Sequence, residues 1–318
     1  MSRGEAGTTV TERYAAVDIG TNSVRLLVAD AGGLAHAGRL VPVERLMRIT
    51  RLGQDVDATH RLADDAIDRT VTVLREYRAV MDDLGVTRAR ATATSAARDA
   101  TNREQFFAAG RDALGGVPLE LLPGEEEARL SFLGATSGVT DPPPYLVVDI
   151  GGGSTEFIVG TDGPDALVSV DMGCVRLTEQ FVHSDPPAPD ELSALVSAVR
   201  DHLADVARDV PGVRDARTVI GLAGTVTTIA AIEMGLPEYD AEKIHHFRLD
   251  RRAAEDVFRT LATETIEQRR HNPGLEPGRV DVIVAGAAIL VTIMRTFDVA
   301  ELVVSEADIL DGLVRSLA

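Results

Sequence analysis

The hydrophobic positions of this chain change period several times along its length, and each change marks an element. Residues 14–18 and 23–30 alternate apolar with polar, as half-buried strands do, across a gap short enough for a hairpin. A third strand is expected over 34–43. Between Leu62 and Leu84 the apolar residues Leu62, Ala66, Val73, Leu74, Tyr77, Val80, Met81 and Leu84 recur at helical spacing. The stretch RARATAT at 88–94 reads as a short strand, and a helix over about 101–114 is expected to start on Thr101, with Glu104 completing a capping box. A strand over 118–124 and a helix over 125–136 follow. Further on, helices are expected over 190–209, 250–268 and 279–297, a strand over 301–305 and a terminal helix over 307–317. The segment RTVIGLAGTVTTIAAIEMG at 217–235 reads as strand, Gly-rich turn and helix. Strands alternating with helices predict α/β architecture.

The alternating pattern of the opening residues is written a second time. AAVDIGTNSVRLLV at 15–28 lies over LVVDIGGGSTEFIV at 146–159 with an offset of 131. The two share Asp18/Asp149, Ile19/Ile150, Gly20/Gly151, Ser23/Ser154 and Val28/Val159. Between the copies, SGVTDPPPY at 137–145 interrupts any regular element with three prolines and a glycine. The expected organisation is therefore a flexible segment over 1–13, a first domain over 14–136 and a second over 137–306. The C-terminal helix, 307–318, is expected to pack back on the first. Two halves related by duplication would face each other across a cleft.

Composition narrows the function. Hydrophobic residues make up 45% and charged residues 26% of the 318, which are globular values. No apolar run is long enough to span a membrane, and the longest candidate, at 280–297, is interrupted by Asp281 and reads as a buried helix. The N-terminal residues show no apolar export segment, and the lone Cys174 permits no internal disulfide, so a reducing cytoplasm is expected. Cys174 itself reads as a small core residue. At a net charge of −18 the chain is a poor candidate for nucleic-acid binding. An anionic substrate would have to be attracted locally, by backbone N–H groups, a few arginines or a metal ion. Cytoplasmic enzymes are commonly dimers, and a homodimer is expected here.

The duplicated turn suits such local attraction. Its glycines remove side chains so that consecutive N–H groups can converge on an anion, and its hydroxyls add donors. The acid before it repels phosphate and is better suited to a divalent cation. One copy alone would be only a tight turn. Two copies with an acid in register predict a bipartite phosphate cradle. A third Gly-rich turn, GLAGTVTT at 221–228, would set Gly224 and Thr225 at a helix N-terminus. The pair at 245–246 is the densest histidine feature, but no second cluster stands at ligand spacing, and a loop or core role is expected.

Taken together, DIGTNSVRLLV, ATSAARDATN, PGEEEARLSFLG, VVDIGGGSTEF and GLAGT occur in the order and at the spacing that resemble the Ppx/GppA phosphatases. These are exopolyphosphatases and guanosine pentaphosphate phosphohydrolases. The resemblance runs from about Tyr14 to the C-terminus. It implies two actin-like, ribonuclease H-like domains in the short form, without added C-terminal helical domains. It also implies Glu127 as the base for the attacking water, Arg98 as holder of a phosphoryl oxygen, and Asp149, Glu156 and the pseudo-symmetric Asp18 around a Mg²⁺ (or Mn²⁺) site. Glu156 could alternatively position the water. Phosphate contacts are expected from Thr21, Asn22, Ser23, Gly152, Gly153, Ser154 and Thr155, with Gly224 and Thr225 at the third turn. Arg176 stands either further along the substrate or simply at a helix start. The implied reaction is Mg²⁺-assisted removal of the terminal phosphate from inorganic polyphosphate, with preference for short chains. The alternative is pppGpp, with ppGpp as a candidate inhibitor of the same cleft. A superfamily kinase and a non-catalytic sensor are the rivals. The tail VVSEADILDGL at 303–313 departs from the family's usual S-D-x-x-L-R-E-G, so a packing helix rather than a substrate contact is expected there.

Overall fold

The computed structural model describes residues 12–30 and 40–317. The expected flexible N-terminal segment lies outside them except for its last two residues, and Arg13 already opens the first strand. In chain order the first half carries β1 (Arg13–Ile19), β2 (Ser23–Asp30), β3 (Val41–Ile49), α1 (Val56–Thr59), α2 (Asp64–Asp83), β4 (Arg88–Ala93), α3 (Ser95–Asp99), α4 (Arg103–Ala113), β5 (Leu119–Leu121) and α5 (Gly124–Ala135). The second half carries β6 (Tyr145–Ile150), β7 (Thr155–Gly160), β8 (Pro164–Val170), α6 (Cys174–Phe181), α7 (Pro189–Asp209), β9 (Thr218–Leu222), α8 (Ala223–Glu233), α9 (Ala241–Ile244), β10 (Arg248–Asp250), α10 (Arg251–Thr263), α11 (Ile266–Arg269), a 3₁₀ turn (Pro277–Arg279), α12 (Ile283–Thr296), β11 (Glu301–Val304) and α13 (Ile309–Arg315).

The strands form two sheets, ordered β3-β2-β1-β4-β5 and β10-β11-β9-β6-β7-β8. In each, an antiparallel meander (β1–β2–β3, β6–β7–β8) is extended by a strand parallel to its first member, β4 or β9. The repeated sequence is thus a repeated topology, and the chain is α/β with two actin-like units. The two hairpins close identically: Gly20 N donates to Ser23 O and Gly151 N to Ser154 O, both at 3.0 Å.

Each sheet buries both faces. Leu26, Leu74, Tyr77 and Phe106 join β1–β4 to α2 and α4, while Val148, Phe157, Ile229 and Leu290 join the second sheet to α7, α8, α10 and α12. The helices on the inner faces are exchanged. Helix α5, which follows the first sheet, lays Ala128, Phe132 and Ala135 on the second. Helix α13, which follows the second sheet, lays Ile309, Leu310 and Leu313 on Tyr14, Ala16 and Leu27 of the first. The two helices touch through glycines. A Cβ on Gly134 would fall 1.8 Å from Asp308 O, and one on Gly312 would fall 2.3 Å from Leu130 O.

Several boundaries differ from the expectation. The third strand is Val41–Ile49; residues 34–39 of the expected one lie outside the described residues. The capping box at Thr101 does not form. Its hydroxyl and amide both turn to His60 O at 2.9 Å, and α4 starts two residues later. The helix expected over 250–268 breaks after Thr263, because Thr265 and Gln268 cap each other and start α11. The long apolar helix is Ile283–Thr296, buried along almost its whole length, and among the described residues no helix is long and apolar enough to cross a membrane.

Candidate active site

The two duplicated turns meet face to face. A Cβ on Gly153 would lie 2.8 Å from Thr21 Oγ1 and 2.5 Å from Ser95 Oγ, so only glycine lets the second turn come this close to the first. Between them lies a cavity of about 80 Å³. Its wall includes Asp18, Thr21, Asn22 and Ser23 from the first turn, and Asp149, Gly152, Gly153, Ser154 and Glu156 from the second. Glu127 enters from the first turn of α5, and Gly224 and Thr225 from the start of α8. The turn expected at 221–228 is tighter than its sequence suggests. Strand β9 runs straight into α8 through Ala223, which takes the left-handed conformation (φ 65°) that glycine usually fills. Gly224 serves a different need, since a Cβ there would lie 2.0 Å from Nη1 of Arg279.

Two expected residues do not reach the cavity. The Thr155 hydroxyl is buried and donates to Met172 O, away from the cleft. Strand alternation explains this: Ser154 and Glu156 face one way, and Thr155 the other. Arg98 lies behind Glu127. Its Nη2 donates to Glu127 Oε2 at 2.8 Å and to Leu122 O at 3.1 Å, so its guanidinium orients the glutamate rather than lining the wall. Of the three glutamates opening α5, only Glu127 reaches the cavity wall.

Arg176 holds the halves together at one rim. It donates to Gly153 O at 2.9 Å and to Asp99 at 2.6 Å, and it pairs with Asp57. Among the wall residues with no role assigned in the site, Arg25, Thr94, Ser95, Cys174 and Arg279 bring side chains with polar or sulfur atoms. For Arg25 a signal existed, because a turn over 20–23 places it directly opposite Asp18 in the hairpin register. Cys174 is buried as expected, but it lines the cleft, and burial raises its thiol above the ordinary value.

The acids of the site crowd one another. Burial, then the charges of Glu156 and Asp18, raise Glu127 well above the ordinary glutamate range, against the pull of Arg98. Burial raises Asp149 to about 6, opposed by Arg25 and by the Ser131 hydroxyl, which donates to Asp149 Oδ2 at 2.9 Å. Burial and Asp149 push Glu156 to about 8, with Ser169 donating to it at 2.6 Å. Burial also raises Asp18, although Arg25 pulls it the other way, and Asp18 Oδ1 is buried with no partner.

A divalent cation fits this donor set: crowded buried carboxylates and one orphaned oxygen have an electrostatic deficit that a cation would relieve. Among the described residues, no three His, Cys, Asp or Glu side chains stand close enough to form a closed cage. That favours an ion held by one or two carboxylates, with phosphate and water completing its shell, as is usual for Mg²⁺. The stacked pair His245 and His246, 3.8 Å between ring centres, does not line the cavity.

Comparison with known proteins shows the family. The model of the Ppx/GppA phosphatase family matches residues 27–318. The curated Exopolyphosphatase 2 of Mycobacterium tuberculosis is 45% identical over 315 residues, covering 96% of this chain and 98% of that protein. A crystal structure of an exopolyphosphatase-like protein superposes with a TM-score of 0.90 at 39% identity, over 96% of this chain and 100% of that one. The crystal structure of the Aquifex aeolicus Ppx/GppA family member gives 0.80 at 33% identity, over 96% and 97%.

Proposed function

We propose, from the premise that this chain belongs to the Ppx/GppA phosphatase family, that it is an exopolyphosphatase releasing the terminal phosphate of inorganic polyphosphate. The hydrolase class follows from family membership. One observation carries the rest: Glu127, a buried base, faces two anion-ready turns across a cavity of about 80 Å³, a size suited to one phosphoryl group.

In this reading the terminal phosphate lies between the N–H groups and hydroxyls of the two turns, with the Asn22 amide, buried without a partner, as a further donor. Glu127 Oε takes the proton of the attacking water, a contribution of about 10²–10⁴ in rate. Its raised pKa makes it a stronger base, and the Arg98 bond keeps it aimed while the guanidinium charge favours its proton-accepting form. One or two of the carboxylates Asp149, Glu156 and Asp18 would hold a divalent cation, Mg²⁺ or Mn²⁺, which when bound supplies charge neutralisation. The leaving group is a phosphate chain one unit shorter.

Beside the cavity is a chamber of about 570 Å³, which shares Arg25, Ala223, Gly224 and Arg279 with it. A chamber of this size supports a preference for short chains. It also favours a second reading, pppGpp as substrate, because Leu46, Met47, Tyr239 and Leu275 line it and could pack a nucleoside.

The deciding experiment measures phosphate release with Mg²⁺ from short polyphosphate, long polyphosphate, pppGpp and ATP, for wild type and Glu127→Gln. Release from polyphosphate that collapses in the variant supports reaction and base together. Full activity in the variant removes Glu127 as base, and faster turnover of long than short chains removes the length preference. Faster turnover of pppGpp selects the second reading.

A further inference from the structure

The second Gly-rich turn is held from behind by the start of α6. Gly151 O accepts from Cys174 N at 3.0 Å, and Gly152 O from Val175 N at 2.9 Å and Arg176 N at 3.1 Å. Gly153 O accepts from Arg176 Nε at 2.9 Å. All three glycine carbonyls of the turn are thus taken up on one side. In a trans peptide the N–H points opposite to the C=O, so the N–H groups of Gly152, Gly153 and Ser154 point away from α6, towards the cavity these residues line. The approach requires glycine at the helix start, where a Cβ on Gly173 would fall 2.2 Å from Gly152 O.

The first turn is held in the same way by residues 50–53. Asn22 O accepts from Thr50 N at 3.0 Å and Arg51 N at 2.9 Å, and Thr21 O accepts from Gly53 N at 2.8 Å. Arg51 makes its contact in a left-handed conformation (φ 52°), uncommon outside glycine.

Each holding segment therefore carries an arginine, and each arginine sends its side chain to the opposite half. Arg176, of the second half, donates to Asp99 Oδ2 at 2.6 Å and pairs with Asp57, both of the first. Along the same seam Gln180 donates to Asp57 at 2.6 Å, and Asp55 N donates to Glu179 at 2.9 Å. Arg51, of the first half, makes a two-point pair with Asp281 of the second at 2.7 and 3.0 Å. It also donates to Gly278 O at 3.3 Å. Neither arginine lines the cavity or the chamber, so both act through the turns they hold.

We propose that Arg176 and Arg51 are positioning residues, a reciprocal pair of clasps that tie the carbonyl side of each phosphate turn to the opposite half, so that the turns are aimed together. The proposal rests on the phosphoanhydride reading above and adds the means by which two turns act as one site. The clasps are unequal. The Arg176 side chain is 13% exposed and engages two acids and a carbonyl, whereas Arg51 is 38% exposed, and an exposed pair contributes little. Arg176 is the dominant clasp.

The test is titration calorimetry of orthophosphate on the full chain with Mg²⁺, which needs no turnover. Arg176→Ala is expected to weaken orthophosphate about 10- to 100-fold, since donors displaced by an ångström lose their aim. The double variant Asp57→Asn with Asp99→Asn keeps Arg176 and its bond to Gly153 O, and serves where the alanine variant does not fold. It should come within about threefold of Arg176→Ala, and adding Arg176→Ala to it should change little further, because members of one network are not additive. Arg51→Ala should weaken orthophosphate by only about two- to fivefold. Hydrogen exchange adds a readout that local support of a helix would not move. In the wild type orthophosphate should slow exchange at 50–53 and at 174–176 together, and in the double aspartate variant that shared protection should be lost at saturating orthophosphate.

Unchanged affinity in the double aspartate variant would reduce Arg176 to support of its own helix and overturn the clasp. Equal losses from Arg51→Ala and Arg176→Ala would overturn the ranking, and a wild type that binds no orthophosphate would overturn the clasps altogether. A chain that binds orthophosphate and responds to the variants as expected, yet releases no phosphate from any substrate, supports the clasps and removes the phosphoanhydride reading instead.

Discussion

The two hairpins share a turn, a strand register and a closing hydrogen bond, yet they differ at the one position that sets their electrostatics. In the first, the residue opposite the acid is Arg25 facing Asp18. In the second, it is Glu156 facing Asp149. The first copy carries its own counter-charge and, with Asp308, forms a paired network. The second sets two buried carboxyl groups side by side and leaves them wanting a proton or a cation. Duplication gave the site its symmetry, and one divergent pair gave it a direction, with the charge-deficient wall on one side. The turns diverge as well: Thr21 and Asn22 stand where the second copy has Gly152 and Gly153, which lets the second copy approach the first.

Exchanging features between the copies tests this contrast. The largest effect is expected on stability, with opposite signs. Arg25→Met leaves Asp18 and Asp308 short of a partner and should cost about 3–5 kcal/mol, whereas Glu156→Gln removes a charge from an acidic pocket and should stabilise the protein at pH 8. Denaturant unfolding reads both, and equal signs would end the contrast. Next, pH should act through the second hairpin. Glu156, at about 8 folded against an ordinary 4.5, keeps its proton while the unfolded chain has lost it. That stability is fully present below about 4.5 and disappears as pH rises through 8, a fall of a few kcal/mol. Asp149, at about 6, adds in the same direction. Melting temperatures in metal-free buffer should drop from pH 5 to pH 8, recover partly with Mg²⁺, and be flatter in Glu156→Gln. A rise instead would mean these acids are ionised and paired in the fold.

Gly153→Asn gives the second turn the residue of the first. Its side chain would press on Thr21 and Ser95, displacing the turns by a fraction of an ångström or more, and phosphate release should fall about 100-fold with little change in unfolding. Unchanged turnover would mean the close approach is incidental. The smallest effect belongs to Thr155→Val, since the first copy already has Val24 there. Losing the bond to Met172 O should cost about 1 kcal/mol and leave KM unmoved; a raised KM would return Thr155 to the phosphate site.

Much of this was legible before the fold was seen, for identifiable reasons. Hairpins are local, so the repeat fixed both turns and placed nine of the expected wall residues in one cavity. Gly224 and Thr225 were marked by a local Gly-rich turn at a helix start, whereas Glu127 arrived through family resemblance rather than through local pattern. Two misplacements were avoidable in principle: strand alternation turns Thr155 away from Glu156, and hairpin register sets Arg25 against Asp18. Arg98 is different. Its side chain could reach either the cleft or Glu127, and only packing chooses. Arg279, from the 3₁₀ turn before α12, crosses Gly224 over more than fifty positions of sequence, a contact that no local pattern encodes. The same holds for the helix exchange, since α5 and α13 show apolar faces without saying which sheet each will cover.

That exchange bears on how the molecule comes into being during synthesis. A chain made from its N-terminus tends to fold domain by domain as it emerges. Here the inner face of the first sheet has only Leu122 and Leu130 of the first half packed in its cluster until α13, Ile309–Arg315, has been made. The first half waits for the last residues of the second. The same late segment brings Asp308 to Arg25. A nascent chain stalled before Asp308 would hold both Gly-rich turns and Glu127, yet it would lack the α13 residues on the first sheet and leave the Arg25 guanidinium without its second partner. The cleft between the two turns is thus completed only when α13 has joined the first sheet.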